Sequence, residues 1–463
     1  MNIILTSAIS GMIFMFSGFF LKKKVHQSWL AALLFLVIIA AGYLQLRGCV
    51  VNLGNYPNML VNDAYRIFFF IALCWIGFYY ALVNRKKVGQ PGKMVSDYYA
   101  LIFISLTGIA VLAMFNNLIL LFIGVEILSI PVYALAGTAK NNMRSTEASV
   151  KYFLMGAFST GVMLMGIALI YGASGSFLLG YITNYNYEMQ TIYYLGWVLL
   201  FLSLCFKVSV APMHFWAPDV YDGTPTVFSS YMVTIVKGGG FLAFISVMAA
   251  FKVSSEAVMK DAHYLLSFVI VLTLFIGNFA AIRQKRVKRM LAYSSVVQAG
   301  YMMFALFLLD AQSKDALLYY IVSYSLSSIV LFYALTKVEK VTYTGFNGLA
   351  KRSPLLALAS SVALFSLAGI PFTSGFLAKF FVLTAAMKVS YNLWLIIFAL
   401  VLAVISVYYY FRVIIAMYFR KPKKKKPIKL SKLSQFLLIL GTALNFALGV
   451  YPELLWKFLD LFV

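Results

Sequence analysis

The chain has 463 residues, of which 63% are apolar, 17% aromatic and only 11% charged, and its mean hydropathy is +0.90. Soluble domains carry roughly 25% charged residues, so a soluble enzyme is excluded. The formal charge of +24 would point to nucleic acid in a soluble protein, but here topology is the first explanation to test. Apolar runs of about 20 residues, each ~30 Å long as a helix, recur along the whole chain and identify an all-α polytopic membrane protein.

Fourteen apolar segments are expected, at about 3–21, 28–46, 64–83, 97–114, 117–138, 149–172, 191–216, 224–251, 262–282, 287–309, 314–336, 353–387, 391–419 and 434–457. The first lacks a basic stretch before it and is followed by Lys22, Lys23 and Lys24, so it reads as a retained anchor with its N-terminus outside. With that orientation, 27 basic side chains fall in the inside loops and 6 outside. This asymmetry supports about fourteen spans with both termini outside and accounts for most of the net charge. The run RKPKKKKPIK (420–429) is read as a cytoplasmic topological anchor, within reach of anionic headgroups or an acidic partner.

Helix starts near 97, 117, 149, 191 and 224 recur near 262, 287, 314, 353 and 391, offset by about 162 to 170 residues. Five helices used twice is an odd number, so the second set must be inverted in the membrane, a common transporter plan. The organisation expected is three N-terminal helices (1–96), a first five-helix repeat (97–251), an inverted repeat (262–419), and a basic loop with the last helix (420–463). Corresponding helices seven and twelve are both interrupted, by VSVAPMHFWAP (208–218) and LAGIPFTSGF (367–376). Proline removes a donor and clashes with the carbonyl four residues back, so Pro212 and Pro371 should open the backbone at membrane depth, where only protein or water can satisfy it. Paired breaks of this kind point to a transport site.

Glu126, Lys207, Lys237 and Lys379 lie inside the fifth, seventh, eighth and twelfth segments. A central charge costs about 2.5–3.5 kcal/mol on insertion scales, and Lys237, flanked by Gly238, Gly239 and Gly240, is too deep to snorkel easily. Burial disfavours an ammonium and a nearby carboxylate favours it, so a change in separation loads or unloads a proton. A Glu126–Lys207 pair at ~4 Å and an effective dielectric near 20 would be worth ~4 kcal/mol. Weaker relay candidates are Glu147 and Lys151, one turn apart and read chiefly as an ion pair, His214 and His263, and the hydroxyls of Ser294, Ser295, Thr373 and Ser374. Arg66 and Arg412 sit near segment ends and are read as snorkelling. Three distant cysteines (Cys49, Cys74, Cys205) and three histidines (His26, His214, His263) offer no metal-ligand spacing. A haem, iron–sulfur or zinc centre in this chain is therefore not expected.

PMHFWAPDVYDGTPT (212–226), KRMLAYSSVVQAGYM (288–302), GIPFTSGFLAKF (369–380) and LLFIGVEILSIPVYAL (120–135) resemble the signatures of the antiporter-like membrane subunits of respiratory complex I, the NADH:quinone oxidoreductase. The resemblance is strong over 97–419 and extends to the flanking helices by number and order. It implies fourteen helices in the bacterial form, inverted five-helix repeats, broken helices seven and twelve, and proton-transfer roles at Glu126, Lys207, Lys237 and Lys379. A lysine at Lys379 and a chain ending soon after its last helix, with no long lateral helix, favour one branch of these subunits. Gln298 departs from the histidine often found there. The resemblance also implies that NADH, flavin mononucleotide, iron–sulfur clusters and quinone are handled by partner subunits, with no cofactor in this chain. The expected neighbours are antiporter-like and small membrane-arm subunits and lipids, with no nucleic acid, in the bacterial inner membrane. A subunit of an Mrp-type cation/proton antiporter or of a membrane-bound hydrogenase shares the helix plan, and a purely structural scaffold is the remaining alternative.

Overall fold

Apolar runs punctuated by Lys- and Arg-rich turns satisfy their backbone groups internally, as lipid requires, by forming helices. The computed structural model describes residues 1–21, 23–51, 58–88, 95–183, 185, 187–252, 256–389, 393–422 and 427–460, and among these there are helices and isolated bridges but no strand. In chain order the helices are α1 (Asn2–Phe20), α2 (Lys24–Leu46), α3 (Ala64–Asn84), α4 (Val95–Met114), α5 (Leu118–Ala136), α6 (Met143–Ser174), α7 (Gln190–Val208) and α8 (Trp216–Gly223). They continue with α9 (Thr226–Phe251), α10 (Glu256–Arg283), α11 (Val287–Met302), α12 (Ala311–Lys337), α13 (Pro354–Ala368), α14 (Ser374–Met387), α15 (Leu393–Phe419), α16 (Lys432–Val450) and α17 (Glu453–Asp460). Twelve helices among the described residues are long and apolar enough to cross a membrane. The tenth and twelfth expected segments are filled by α11 and by the pair α13–α14, which are shorter. Of the basic loops, Lys22, Lys93 and 423–426 lie outside the described residues.

Four segments end or break where side-chain chemistry requires it. The seventh was expected to reach 216, yet α7 stops at Val208, four residues before Pro212, with Ser209 left-handed at φ 58°. The freed Ala211 amide donates to the Thr273 hydroxyl at 2.9 Å, and the Trp216 indole donates to the Phe206 carbonyl at 3.1 Å. In the twelfth, α13 stops at Ala368, Gly369 takes the left-handed φ of 84°, and α14 resumes after Pro371. The tenth tightens after Met302 into a short turn at Met303–Leu306. The last yields α16 and then, past Pro452, the separate amphipathic α17.

Helices α9 and α12 form the centre: 94% and 100% of their spanning stretches are buried, against 33% for α1 and 28% for α16 at the periphery. Packing of α9 against α3, α4 and α7 depends on its glycines. A Cβ on Gly238 would lie 2.5 Å from Leu73, one on Gly239 2.8 Å from Ile109, and one on Gly240 3.1 Å from Val208. Gly239→Leu is therefore expected to overpack the centre by about 1–3 kcal/mol and lower the thermal midpoint of the detergent-solubilised protein. An unchanged midpoint would show slack between α9 and α4.

Candidate proton-transfer site

Glu126, Ser129 and Tyr133 recur along one face of α5 at helical spacing, and Lys207 closes α7 beside them. The Lys207 ammonium donates to the Ser129 hydroxyl at 3.1 Å and the Tyr133 hydroxyl at 3.4 Å. Glu126, half-buried, is electrostatically coupled to Lys207, but no Glu126–Lys207 ion pair within 4 Å occurs among the described residues. The structure thus shows this pair apart, with the amine parked one turn along α5 from the carboxylate. Lys207 also lies in the last turn of α7, where the carbonyl end of the helix favours a cation.

Lys237 is 2% exposed. It follows an irregular, widened turn of α9 at Met232–Val236 and donates to the Ser295 carbonyl at 2.8 Å and hydroxyl at 3.3 Å on α11. Lys379, on α14, folds back across the break and donates to the Leu367 and Ala368 carbonyls at 3.1 and 2.9 Å. Its ammonium lies 4.9 Å from the centre of the Tyr301 ring. The break in the twelfth segment therefore leaves exposed carbonyls that a buried lysine occupies.

A polar chain on α11 lies between these two lysines. Ser294 shares a 2.5 Å hydrogen bond with Tyr410, the Gln298 amide donates to Tyr410 at 3.1 Å and to the Leu367 carbonyl at 2.9 Å, and Tyr320 donates to the Gln298 oxygen at 2.6 Å. Leu367 is the same carbonyl that Lys379 contacts, and Ser294 adjoins the partner of Lys237. Beyond the break, Ser323 donates to Ser374 at 2.7 Å, Ser374 to the Asn445 oxygen at 3.0 Å, and the Asn445 amide to Ser327 at 2.8 Å.

The remaining candidates are more peripheral. Glu147 and Lys151 form the expected ion pair at 2.6 Å, and Lys151 also reaches Asp219 at 3.2 Å. Asp219 in turn pairs with Arg289, and Asp222 with Arg286, each at 2.8 Å. Two adjoining cavities of 410 Å³ each open here, both lined by Arg144, Asp222, Gly223 and Arg286. Tyr152, next to Lys151, packs edge-on against Tyr133 at 4.6 Å, which connects this vestibule to the Lys207 pocket. His214 is buried in the turn between α7 and α8, beside the Pro212 backbone. His263 shares a hydrogen bond with the Phe307 carbonyl. Arg66 and Arg412 donate to the Phe115 and Ile282 carbonyls at 2.8 and 2.7 Å. Cys49 is exposed, Cys74 and Cys205 are buried, and no group of three His, Cys, Asp or Glu side chains is gathered among the described residues.

One buried lysine was not singled out from the sequence. Lys288, 4% exposed, donates to the Asp222 carbonyl at 3.1 Å and to the Thr224 carbonyl, closing the end of α8 at the floor of the vestibule. In sequence it belongs to a run of loop cations. The preceding DVYDG stretch, whose helix leaves carbonyls to be satisfied, was the available signal.

Residues 115–406 match the family described as NADH:quinone oxidoreductase/Mrp antiporter, TM. The NADH-quinone oxidoreductase subunit N of Cytophaga hutchinsonii is 37% identical over 98% of both chains. A chain of the respiratory complex I of Thermus thermophilus, solved with bound aureothin, superposes with a TM-score of 0.83 at 30% identity over 98% of each chain. A chain of the Mrp complex from Dietzia sp. DQ12-45-1b shares the fold, with a TM-score of 0.77 at 18% identity over 98% of this chain and 96% of that one. The chain therefore belongs to the NADH:quinone oxidoreductase/Mrp antiporter family, within its NADH-quinone oxidoreductase subunit N branch.

Proposed function

We propose that this proton-translocating membrane subunit of complex I moves its proton through Glu126, Lys207, Lys237 and Lys379. The observation that carries the route is the placement of three lysines inside one helical bundle. Lys237 and Lys379 are nearly inaccessible, and each of the three is held by neutral oxygens rather than by a carboxylate. A lysine donating to hydroxyls and carbonyls keeps its position in either protonation state, so it suits proton exchange better than a fixed ion pair does. Protons are proposed to enter from the vestibule, through Lys151, Glu147, His214 and Tyr133, to reach Lys207. They then pass by water to Lys237, and along Ser294, Tyr410 and Gln298 to Lys379 and the outer face.

Quinone reduction in neighbouring subunits would act on Glu126, which lies on the edge of the fold. A Glu126–Lys207 pair closed to ~4 Å is worth ~4 kcal/mol in all, of which the present, wider coupling already supplies a part. Moving one proton against 100 mV costs about 2.3 kcal/mol, which is of the same order as that total. The chain itself is proposed to carry no redox centre; NADH, flavin, iron–sulfur clusters and quinone belong to partner subunits. Its neighbours would be antiporter-like and small membrane-arm subunits. The proposed setting is the bacterial inner membrane, with fourteen spans, two inverted five-helix repeats and both termini outside. The fold shared with the Mrp complex keeps a cation/proton antiporter as the second reading, but the subunit N relatives favour complex I.

Purifying the tagged chain from native membranes tests the setting: NADH oxidation with flavin and iron–sulfur signals is expected, and their absence beside other antiporter-like chains would support the second reading. Gln298→Leu tests the relay. It removes both the donor to Tyr410 and the acceptor for Tyr320, and is expected to slow NADH-driven acidification severalfold while Gln298→Glu retains most of it. Equal rates in both variants would remove Gln298 from the route.

A further inference from the structure

An apolar groove between α3, α12, α16 and α17 shares no lining residue with the proposed proton route. Its volume is 450 Å³, its lining is almost wholly aliphatic and aromatic, with Trp75, Tyr79, Leu326, Leu440, Leu444 and Leu448 prominent, and α17 covers one part of it with Leu455 and Phe458. Along α16 it runs from Leu437 to Leu448, about 16 Å at 1.5 Å per residue, which is close to half of a ~30 Å hydrocarbon core and thus one leaflet deep.

The groove ends at a second, polar cavity of 90 Å³. Leu82 lines the first and Val83 the second, while Leu437 and Ser434 stand one turn apart on α16, so the two are neighbours along the same helices. Arg85, Lys86, Lys87, Lys337 and Lys429 surround this cavity, together with Ser431 and Ser434, and among the described residues no carboxylate lines it. Tyr333, only 2% exposed, belongs to the same lining, with its hydroxyl beside Ser434 and the Lys337 ammonium 5.0 Å from the centre of its ring. Topology explains why cations cluster at helix ends on one side. It does not explain why five of them converge on a concave site at the mouth of an apolar groove.

We infer that this composite site binds one anionic phospholipid, its phosphodiester in the basic cavity and an acyl chain along the groove. Charge complementarity selects the headgroup, since basic pockets between spanning helices suit anionic lipids. The depth of one leaflet selects a membrane lipid over a free anion. Bound there, the lipid would bridge α3 to α16, which the Tyr79 hydroxyl already joins through the Leu437 carbonyl at 2.9 Å.

The test is native mass spectrometry of the chain purified with its assembly in mild detergent, followed by re-addition of phosphatidylglycerol or phosphatidylethanolamine. The wild type is expected to retain one wash-resistant anionic phospholipid. Replacing two lysines, Lys337→Gln with Lys429→Gln, is expected to weaken retention by roughly 10- to 30-fold, at about 1 kcal/mol per cation. Leu444→Trp, which fills the groove and leaves every charge in place, is expected to remove the lipid as well. Helix content by circular dichroism confirms that both variants are folded. Retention by either variant at the wild-type level, equal refilling by phosphatidylethanolamine, or displacement by inorganic phosphate alone would overturn the proposal.

Discussion

Replacing Lys237 by alanine is expected to reduce NADH-driven proton pumping by at least tenfold while the subunit still assembles. The side chain is 2% exposed and points to Ser295, where its ammonium has only a carbonyl and a hydroxyl for company. Neither group can take up a proton near neutrality, so no neighbour substitutes for the lost amine. Removing a buried cation also removes its insertion cost of about 2.5–3.5 kcal/mol, which offsets the about 1–3 kcal/mol for the donor lost at Ser295, so the subunit should still fold. The glycines Gly238–Gly240 retain the packing of α9, and native gels of solubilised membranes should show the full-size assembly. Lys237→Arg should fare little better than alanine, because a guanidinium does not release its proton in a protein. Vigorous pumping by either variant would place the proton path elsewhere.

Lys379→Met should produce a second large effect, and of two kinds. Proton transfer should fall for the same reason as at Lys237, and the break between α13 and α14 should also loosen. The ammonium occupies the Leu367 and Ala368 carbonyls; Leu367 keeps the Gln298 amide, so Ala368 is the buried acceptor that loses its side-chain donor, at about 1–3 kcal/mol. A lower thermal midpoint together with lost pumping is the expected signature, and faster amide exchange at 369–373 would localise it. Lys379→Arg should restore the midpoint without restoring pumping. If arginine rescued both, Lys379 would be a structural cap and not a proton carrier.

Much of this is legible in the sequence alone. Charges among apolar residues are conspicuous, and so are prolines that no helix interior accommodates, which is why Glu126, Lys207, Lys237, Lys379, Pro212 and Pro371 stand out from composition and spacing alone. What one residue does to a distant one is less legible. Lys288 is buried because α8 folds over it, and Tyr410 meets Gln298 across 112 positions of chain, a pairing that no local pattern encodes. The sequence also places Glu126 and Lys207 within reach of each other without specifying their separation; the structure sets the amine on Ser129 and Tyr133 instead. Gln298, a departure from the expected histidine, still lies at the centre of the polar chain, because an amide can donate and accept at once although it does not titrate.

The most direct measurement is the number of protons translocated per NADH oxidised by the purified assembly in sealed liposomes, wild type beside Lys237→Ala. A lower ratio in the variant, at matched rates of NADH oxidation, is the predicted result, since electrons would still flow while this subunit's protons would not. An unchanged ratio would contradict the claim that protons cross the membrane through the buried lysines of this chain.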